Sequence, residues 1–507
     1  MKVKSFFTVI SLLVSCIGAA QGSNEVFLFD LTAENDSLYL RNGKNISNND
    51  GYDNQPCFYD TNTVLFASTR NGQTDIAAYT ISANKTQWIS NTLGGSEYSP
   101  LKIPKTKSIS AIRLDTNGLQ RLYSYDFESG KSKEILKDLK VGYHVWFNED
   151  VLVTTVLVEN RMDLVVSNLK DNTNFTFQKN VGRSLYKIPN SNLISFVSKE
   201  GGKNSVKSMN PISGATAEII NLLQTSEDIA WLEDGTLISG YDTMLMKYKP
   251  GLDTKWNIMH RFDASEIRGI SRLAISPDGT HLALVAKDSP IKIVERQVER
   301  FNSRNLEAFV GCYAEDVTVL NYPLDTLYTG REQMKEKYRR FYEDNPTVEV
   351  KVASRIALGS IVLDQEVVTL GDETNLQVAL YEIDDLIKTM CFIQDREMDY
   401  DPELIVQKQL DAYNNRDLAG FLATYSDSIK IYNYPKQLRS SSLLEIEKGY
   451  ATLFQATPDL HCEIKNRIVI GNKVIDHEYV TMNGEKINAV AIYEVLNEKI
   501  EKVTFIR

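Results

Sequence analysis

The run KVIDHEYVT (473–481) sets Asp476, His477 and Glu478 side by side. Carboxylates and imidazoles are the common general acids and bases. These three are therefore the catalytic candidates, and the chemistry they offer is proton transfer. Side chains alternate faces along a strand. Asp476 and Glu478 share one face, and His477 takes the other. Gly471-Asn472 reads as a two-residue hairpin turn, which sets Arg467 opposite Asp476, Asn466 opposite His477 and Lys465 opposite Glu478. RIALGSIVLDQEVVT (355–369) repeats the layout and sets Arg355 opposite Asp364. Cross-strand opposite charges contribute roughly 0.2–1 kcal/mol, so Arg355–Asp364 and Arg467–Asp476 read first as structural ion pairs. The other face carries Ile464, Ile468, Ile475 and Tyr479, and in the earlier run Ile356, Leu358, Ile361 and Leu363. The apolar face is expected against helices and the charged face outside or at a domain contact. That points His477 and Asn466 inward as pocket groups. Asn321, Tyr322, Asn433 and Tyr434, which end two matching Asn-Tyr-Pro segments, are the other candidate pocket residues.

Other chemistries find less. Cys57, Cys312, Cys391 and Cys462 have no paired spacing, so no metal site is expected. They read as buried single thiols, with a Cys312–Cys391 bridge left open for an oxidising compartment. No cofactor motif and no G-x-S-x-G occur. A net charge of −11 and a pI near 5.2 argue against nucleic acid, because phosphate neutralisation needs clustered Lys and Arg. After the N-terminus no run reaches the ~18 apolar residues of a transmembrane span.

The N-terminus reads as an export signal. Lys2 and Lys4 precede an apolar stretch at 6–14, and Gly18-Ala19-Ala20 supplies small residues for cleavage. The alternative is Leu13-Val14-Ser15-Cys16, which resembles a lipobox and would lipidate Cys16. Either way the expected location is periplasmic or extracellular.

The elements that hold these residues come in two halves. Residues 26–288 show short alternating apolar runs broken by Asn, Asp, Gly, Ser and Pro, the pattern of strands and turns. Related units start near residues 54, 97, 142, 182, 227 and 269, a period matching four-stranded propeller blades. The sixth unit has room for two strands. Because open edges invite aggregation, VFLFDL (26–31) and SLYLRN (37–42) are expected to complete it and close the ring. Asn54-x-Pro56-x-Phe58, FASTRNGQTDI (66–76) and SPDG (276–279) resemble TolB-type propellers, a resemblance that implies a recognition face.

Residues 290–383 lie over 402–495 at a constant offset of 112, with 27 identities in 94 positions. This is an internal duplication. Ser289-Pro290 and Asp401-Pro402 each read as a helix cap followed by Pro at the first helical position. Helices followed by β-rich segments imply an α+β cone in each copy. N-x-R-x-L-x-x-F-x-x-x-Y (302–313 and 414–425), the Asn-Tyr-Pro ends, TGREQM (329–334) and AIYEV…VTFI (491–506) resemble the SnoaL-like branch of the nuclear transport factor 2-like superfamily. That resemblance implies a small-molecule cone and two copies that pair through their sheets. Ketosteroid isomerases are similar in fold, but their base aspartate falls on Asn321 and Asn433. Their oxyanion-hole tyrosine falls on Gln297 and Gln409, and the assisting aspartate on Ala379 and Ala491. Asn is no general base, so that reaction is not expected.

The division is a signal peptide at 1–20, a propeller at 21–288 and SnoaL-like copies at 289–398 and 399–507. The expected function is an exported binding or interaction protein for an unknown protein or small apolar ligand. The alternative is a lyase or isomerase acting on a small hydrophobic substrate.

Overall fold

The computed structural model describes residues 24–507 apart from 35–36, 50, 225 and 395. The export signal and Cys16 lie outside the described residues. The front half is a ring of six four-stranded antiparallel blades. The first strands of five blades are Asp53–Asp60, Gly95–Lys102, Val141–Trp146, Val181–Lys187 and Ile229–Trp231. The sixth blade has the spatial order Ser37–Asn45, Asn24–Glu34, His281–Lys287, Arg268–Ile275. The N-terminal segment thus supplies its two outer strands, pairing Val26 with Val285 and Leu28 with Ala283.

Alternation explains why this closure is strong. Val26 and Leu28 enter a core with Phe58, Val64 and Phe66 of the first blade. Phe29 and Leu31 enter another with Ala230 and Leu232 of the fifth. One strand therefore fills both seams of its blade. Deleting residues 24–45 should open the ring and leave the His281–Lys287 edge unpaired, and the product should aggregate. Light scattering after size exclusion reads this; a monomer melting like the intact chain would refute it.

The back half is two α+β units of the same design. The first has α1 (Pro290–Asn302), α2 (Leu306–Val310) and α3 (Arg331–Asp344). The second has α4 (Pro402–Asn415), α5 (Leu418–Ala423) and α6 (Leu443–Ala456). Ser289 Oγ accepts from the Lys292 amide at 3.2 Å, and Asp401 Oδ1 from the Glu403 amide at 2.9 Å. These contacts start α1 and α4. Each unit has a six-stranded sheet; the first runs in space from Asp325–Thr329 through Tyr313–Asn321, Ile387–Ile393, Glu373–Ile383 and Ile361–Leu370 to Glu349–Leu358. The hairpin turns hold Gly359 and Gly471 at φ 57° and 49°, the positive φ a type II′ turn takes at its first central residue.

The faces of these sheets are the reverse of the expectation. The pure aliphatic face does not meet the helices. Ile356, Leu363 and Leu380 of the first copy form one buried cluster with Ile468, Ile475 and Ile492 of the second. Polar contacts border it: Asn466 Nδ2 donates to the Arg355 carbonyl at 2.8 Å, Gln365 Nε2 to the Val469 carbonyl at 3.0 Å, and Tyr322 OH to Thr504 Oγ1 at 2.8 Å. The face carrying Asp364 and Glu366, or Asp476 and Glu478, is the one under the helices. Val362 and Val474 on that face pack with Phe309 and Phe421 in the helix-covered cores. The purer apolar face thus went to the sheet–sheet contact. The helix-covered face accommodates charge because arginine reaches it.

One smaller expectation also changes. Register shifts between Ile464 and Asn466, so Ile464 faces Glu478, and Lys465 instead bonds Glu463 at 2.6 Å. A β-bulge inserts one residue, and simple alternation cannot register it. Cys312 and Cys391 are both free and buried, so no bridge joins them.

The first copy also abuts the propeller. Lys292 of α1 pairs with Glu25, and Lys287 with Asp385 at 2.7 Å.

Candidate functional site

A cavity of about 460 Å³ opens inside the first cone. α1 contributes Gln297, Val298 and Phe301, and α3 contributes Tyr338 and Phe341. The sheet supplies Glu366, Val368, Gln377, Tyr381, Met390 and Phe392. Helical spacing puts Gln297 and Phe301 on one face of α1. Strand alternation puts Glu366 and Val368 on the inner face of Ile361–Leu370. Rings of Phe301, Phe309, Tyr338 and Tyr342 interlock with centroids 4.6–6.5 Å apart, so the helical wall is rigid and aromatic.

The polar groups are few and placed. Glu366 is 3% exposed. Its Oε2 accepts from Gln377 Nε2 at 2.6 Å and its Oε1 from Tyr381 OH at 2.8 Å. Burial nonetheless pushes the carboxyl up to about 7, with the Asp364 charge adding to the shift. Loss of hydration disfavours the ionised form more than two hydrogen bonds restore it. Gln297, also on this wall, is 5% exposed, and its Oε1 has no partner among the described residues. The cavity therefore holds two acceptors in an aromatic wall.

The second cone keeps the plan and loses the room. Its cavity is about 210 Å³. Glu478 accepts from Tyr493 OH at 2.7 Å and is likewise pushed up to about 7 by burial. The position matching Gln377 is Ala489, so the second donor is missing. Gln409, the counterpart of Gln297, spends its amide on Tyr425 OH at 3.1 Å.

KVIDHEYVT now resolves residue by residue. Asp476 is 1% exposed and clasped by Arg467, Nε to Oδ1 at 2.6 Å and Nη2 to Oδ2 at 2.7 Å. Arg355 holds Asp364 in the same fork at 2.7 Å for both bonds. Glu478 is the cavity carboxyl of its cone. His477 is on the opposite face, its Nε2 2.7 Å from Asn488 Oδ1, and it lines neither cone. The expectation that His477 is a pocket group is thus corrected, and so are the other pocket candidates. Asn466 binds across to the first copy, while Tyr322 and Tyr434 pack at the sheet–sheet cluster. Asn321 Oδ1 accepts from Gln394 at 3.0 Å, and Asn433 Nδ2 donates to Gln437 at 3.2 Å. For His477 and Asn466 the error followed from taking the wrong face as the inner one; the Asn-Tyr-Pro residues were placed by their segment ends alone.

The sequence reading missed Glu366, Gln377 and Tyr381, and it noted Gln297 only as a substitution for a tyrosine. A signal existed. Gln297, Glu366 and Tyr381 are each identical to the residue 112 positions later, and the two carboxylates lie two residues past the arginine-paired aspartates. Among the described residues no group of three His, Cys, Asp or Glu side chains could hold a metal ion, and no helix is long and apolar enough to cross a membrane.

Residues 294–386 and 406–503 each match the SnoaL-like domain family, and the back half is two such domains in tandem. An NTF2-like protein of unknown function from Cytophaga hutchinsonii is 13% identical; the match covers 22% of this chain and 92% of that one, with a TM-score of 0.19. TolB from Acinetobacter baumannii is 12% identical over 52% of this chain and 64% of its own, with a TM-score of 0.36. Oligogalacturonate lyase from Vibrio parahaemolyticus is 11% identical over 49% and 83%, with a TM-score of 0.37. No curated protein matches the chain.

Proposed function

We propose that this is an exported binding protein whose first cone takes a small, largely apolar molecule bearing hydrogen-bond donors. One observation carries the reading: the aromatic cavity of about 460 Å³ presents Glu366 and the unpartnered Oε1 of Gln297. A pocket with an apolar wall and a few convergent polar groups is the usual form of a small-molecule site. Two acceptors select a ligand with O–H or N–H groups and disfavour an anion. The two copies act as one paired unit, supported by the shared aliphatic cluster. Export rests on Lys2, Lys4 and the apolar stretch that follows. The propeller supplies a separate recognition face.

2-Naphthol and 2-methoxynaphthalene test the reading, because they share a shape and differ in the donor. The whole chain should bind 2-naphthol, and Glu366→Gln should weaken it about tenfold, the worth of one hydrogen bond to a charged group. 2-Methoxynaphthalene should be indifferent to the substitution. Equal effects on both, or no binding of either, would refute the reading.

A second reading, proton-transfer catalysis of the lyase or isomerase type, is favoured by the Glu366 carboxyl at about 7, the range a general base or acid needs near neutrality. The same value fixes two pH effects. Donor ligands prefer the carboxylate, so 2-naphthol affinity should rise from pH 6 to 8 in the parent and stay flat in Glu366→Gln. Stability runs the other way. A carboxyl raised on folding holds its proton better in the folded chain, so stability is full below the ordinary carboxylate range and falls as pH rises towards 7. Urea titrations at pH 5 and pH 8 should show a smaller difference for Glu366→Gln than for the parent.

A further inference from the structure

The propeller has its own cavity, about 260 Å³ at the centre of the ring. First strands of the blades line it. Phe58, Leu101, Val145, Leu185 and Ile275 make an apolar wall. Arg183, Asp228 and Arg272 also line it as an ionic group: Arg183 Nη2 is 2.7 Å from Asp228 Oδ2, and Arg272 Nη1 is 3.1 Å from Oδ1. Arg272 is also stacked on Tyr143, 5.2 Å from the ring centroid. Glu227, 3.5 Å from Arg183, is itself held by Lys199 at 2.6 Å. Three cations thus share two carboxylates, and the group keeps one positive charge.

Two further groups on the lining are unspent. Ser99 Oγ and His144 Nδ1 are buried without partners among the described residues. His144 is 5% exposed, and its Nε2 is 2.7 Å from Ser110 Oγ. Ser110 Oγ also accepts from Trp146 Nε1 at 2.9 Å. It donates its own proton to the Leu101 carbonyl at 3.3 Å, so its remaining lone pair accepts from His144 Nε2–H. The imidazole then carries its hydrogen on Nε2, and Nδ1 is an acceptor without a donor among the described residues. Burial keeps the ring neutral, pushed down to about 3. Ser99 Oγ is a buried donor with no acceptor among the described residues, which is costly, and one on a cavity lining is satisfied by whatever occupies it.

The backbone is also bent to build this lining. Gln55 and Ser99 sit at matching bulges of adjacent blades with φ 57° and 51°. Ser99 N–H donates to Gln55 Oε1 at 2.7 Å. Left-handed conformations at non-glycine residues concentrate where a site needs them.

We propose that the propeller centre is a second ligand site, independent of the cones, that takes a small carboxylate with a short apolar body. The carboxylate accepts from Ser99 Oγ and meets the surplus guanidinium charge; the body lies against the aliphatic wall.

Calorimetric titration of the whole chain with hexanoate, 1-hexanol and hexylammonium tests this. Hexanoate should bind saturably. Hexanol should be about tenfold weaker, having lost the charge-assisted hydrogen bonds, and hexylammonium should not bind. Ser99→Ala should weaken hexanoate about tenfold; Arg272→Gln, which removes the surplus charge, gives a second reading if the first variant melts early. Saturating 2-naphthol should leave hexanoate affinity unchanged. No saturable hexanoate binding, equal binding of hexylammonium, indifference to both substitutions, or competition by 2-naphthol would each overturn the proposal.

Discussion

Asp476→Ala should destabilise the second SnoaL-like copy by about 3–5 kcal/mol, whereas His477→Ala, one residue on, should cost about 1 kcal/mol. The aspartate is 1% exposed and takes both bonds of the Arg467 fork. Its removal leaves a guanidinium that is 13% exposed, with only Gln407 at 2.9 Å and Glu403 at 3.5 Å to share it. A buried charge stripped of its partner is among the most expensive lesions in a fold. His477 is half-buried and gives up one hydrogen bond, to Asn488. Hydrogen exchange of His461–Ile470 and Lys473–Met482 under native conditions reports this copy by itself. A larger loss for His477→Ala would make the histidine the structural residue. Replacing both partners, as Arg467→Met with Asp476→Leu, should recover much of the loss, because the fork costs desolvation as well as repaying it.

That contrast also shows how far the sequence could be read. Blade repeats, the ring closed by the N-terminal strands and the duplicated α+β units were legible, because each leaves a periodic trace: turn residues at blade spacing, and 27 identities at a constant offset. Hairpin register at Arg355–Asp364 and Arg467–Asp476 was legible from Gly359 and Gly471. What alternation cannot supply is the identity of the layer each face meets. Ile356, Leu363, Ile468 and Ile475 look like the side that packs on helices, and any isolated domain would use them so. Here a second copy covers them, and the helices take the face with Glu366 and Glu478. The site was hidden by the same inversion. A glutamate in an alternating strand reads as solvent-facing, and only the aromatic residues of α1 and α3, distant in sequence, turn it into a cavity group.

Leu363→Asp or Ile475→Asp should have the largest effect of any single substitution in the back half. Both side chains are 0% exposed within the cluster that holds residues of both copies. Ile356, Leu363, Leu380, Ile468, Ile475 and Ile492 bury whole aliphatic side chains there. At about 1.5–3 kcal/mol each they contribute on the order of 10 kcal/mol, an upper figure because an unfolded chain already hides part of that surface. A carboxylate placed among them finds no arginine, and an uncompensated charge in such surroundings costs several kcal/mol. The copies must then either separate or unfold. Separation is opposed by the short link at about 394–401, which keeps each sheet at high effective concentration for the other. Limited proteolysis of that link distinguishes the outcomes: rapid cleavage there with both copies still resistant means separation, and general digestion means unfolding. Leu376→Asp is the control, since that leucine is 56% exposed and should tolerate the charge within about 0.5 kcal/mol. Residues 289–398 expressed alone should satisfy the same face with a second molecule and run as a homodimer, or fail to stay in solution. A well-behaved monomer would mean the aliphatic face tolerates water and that the pairing adds little to the fold.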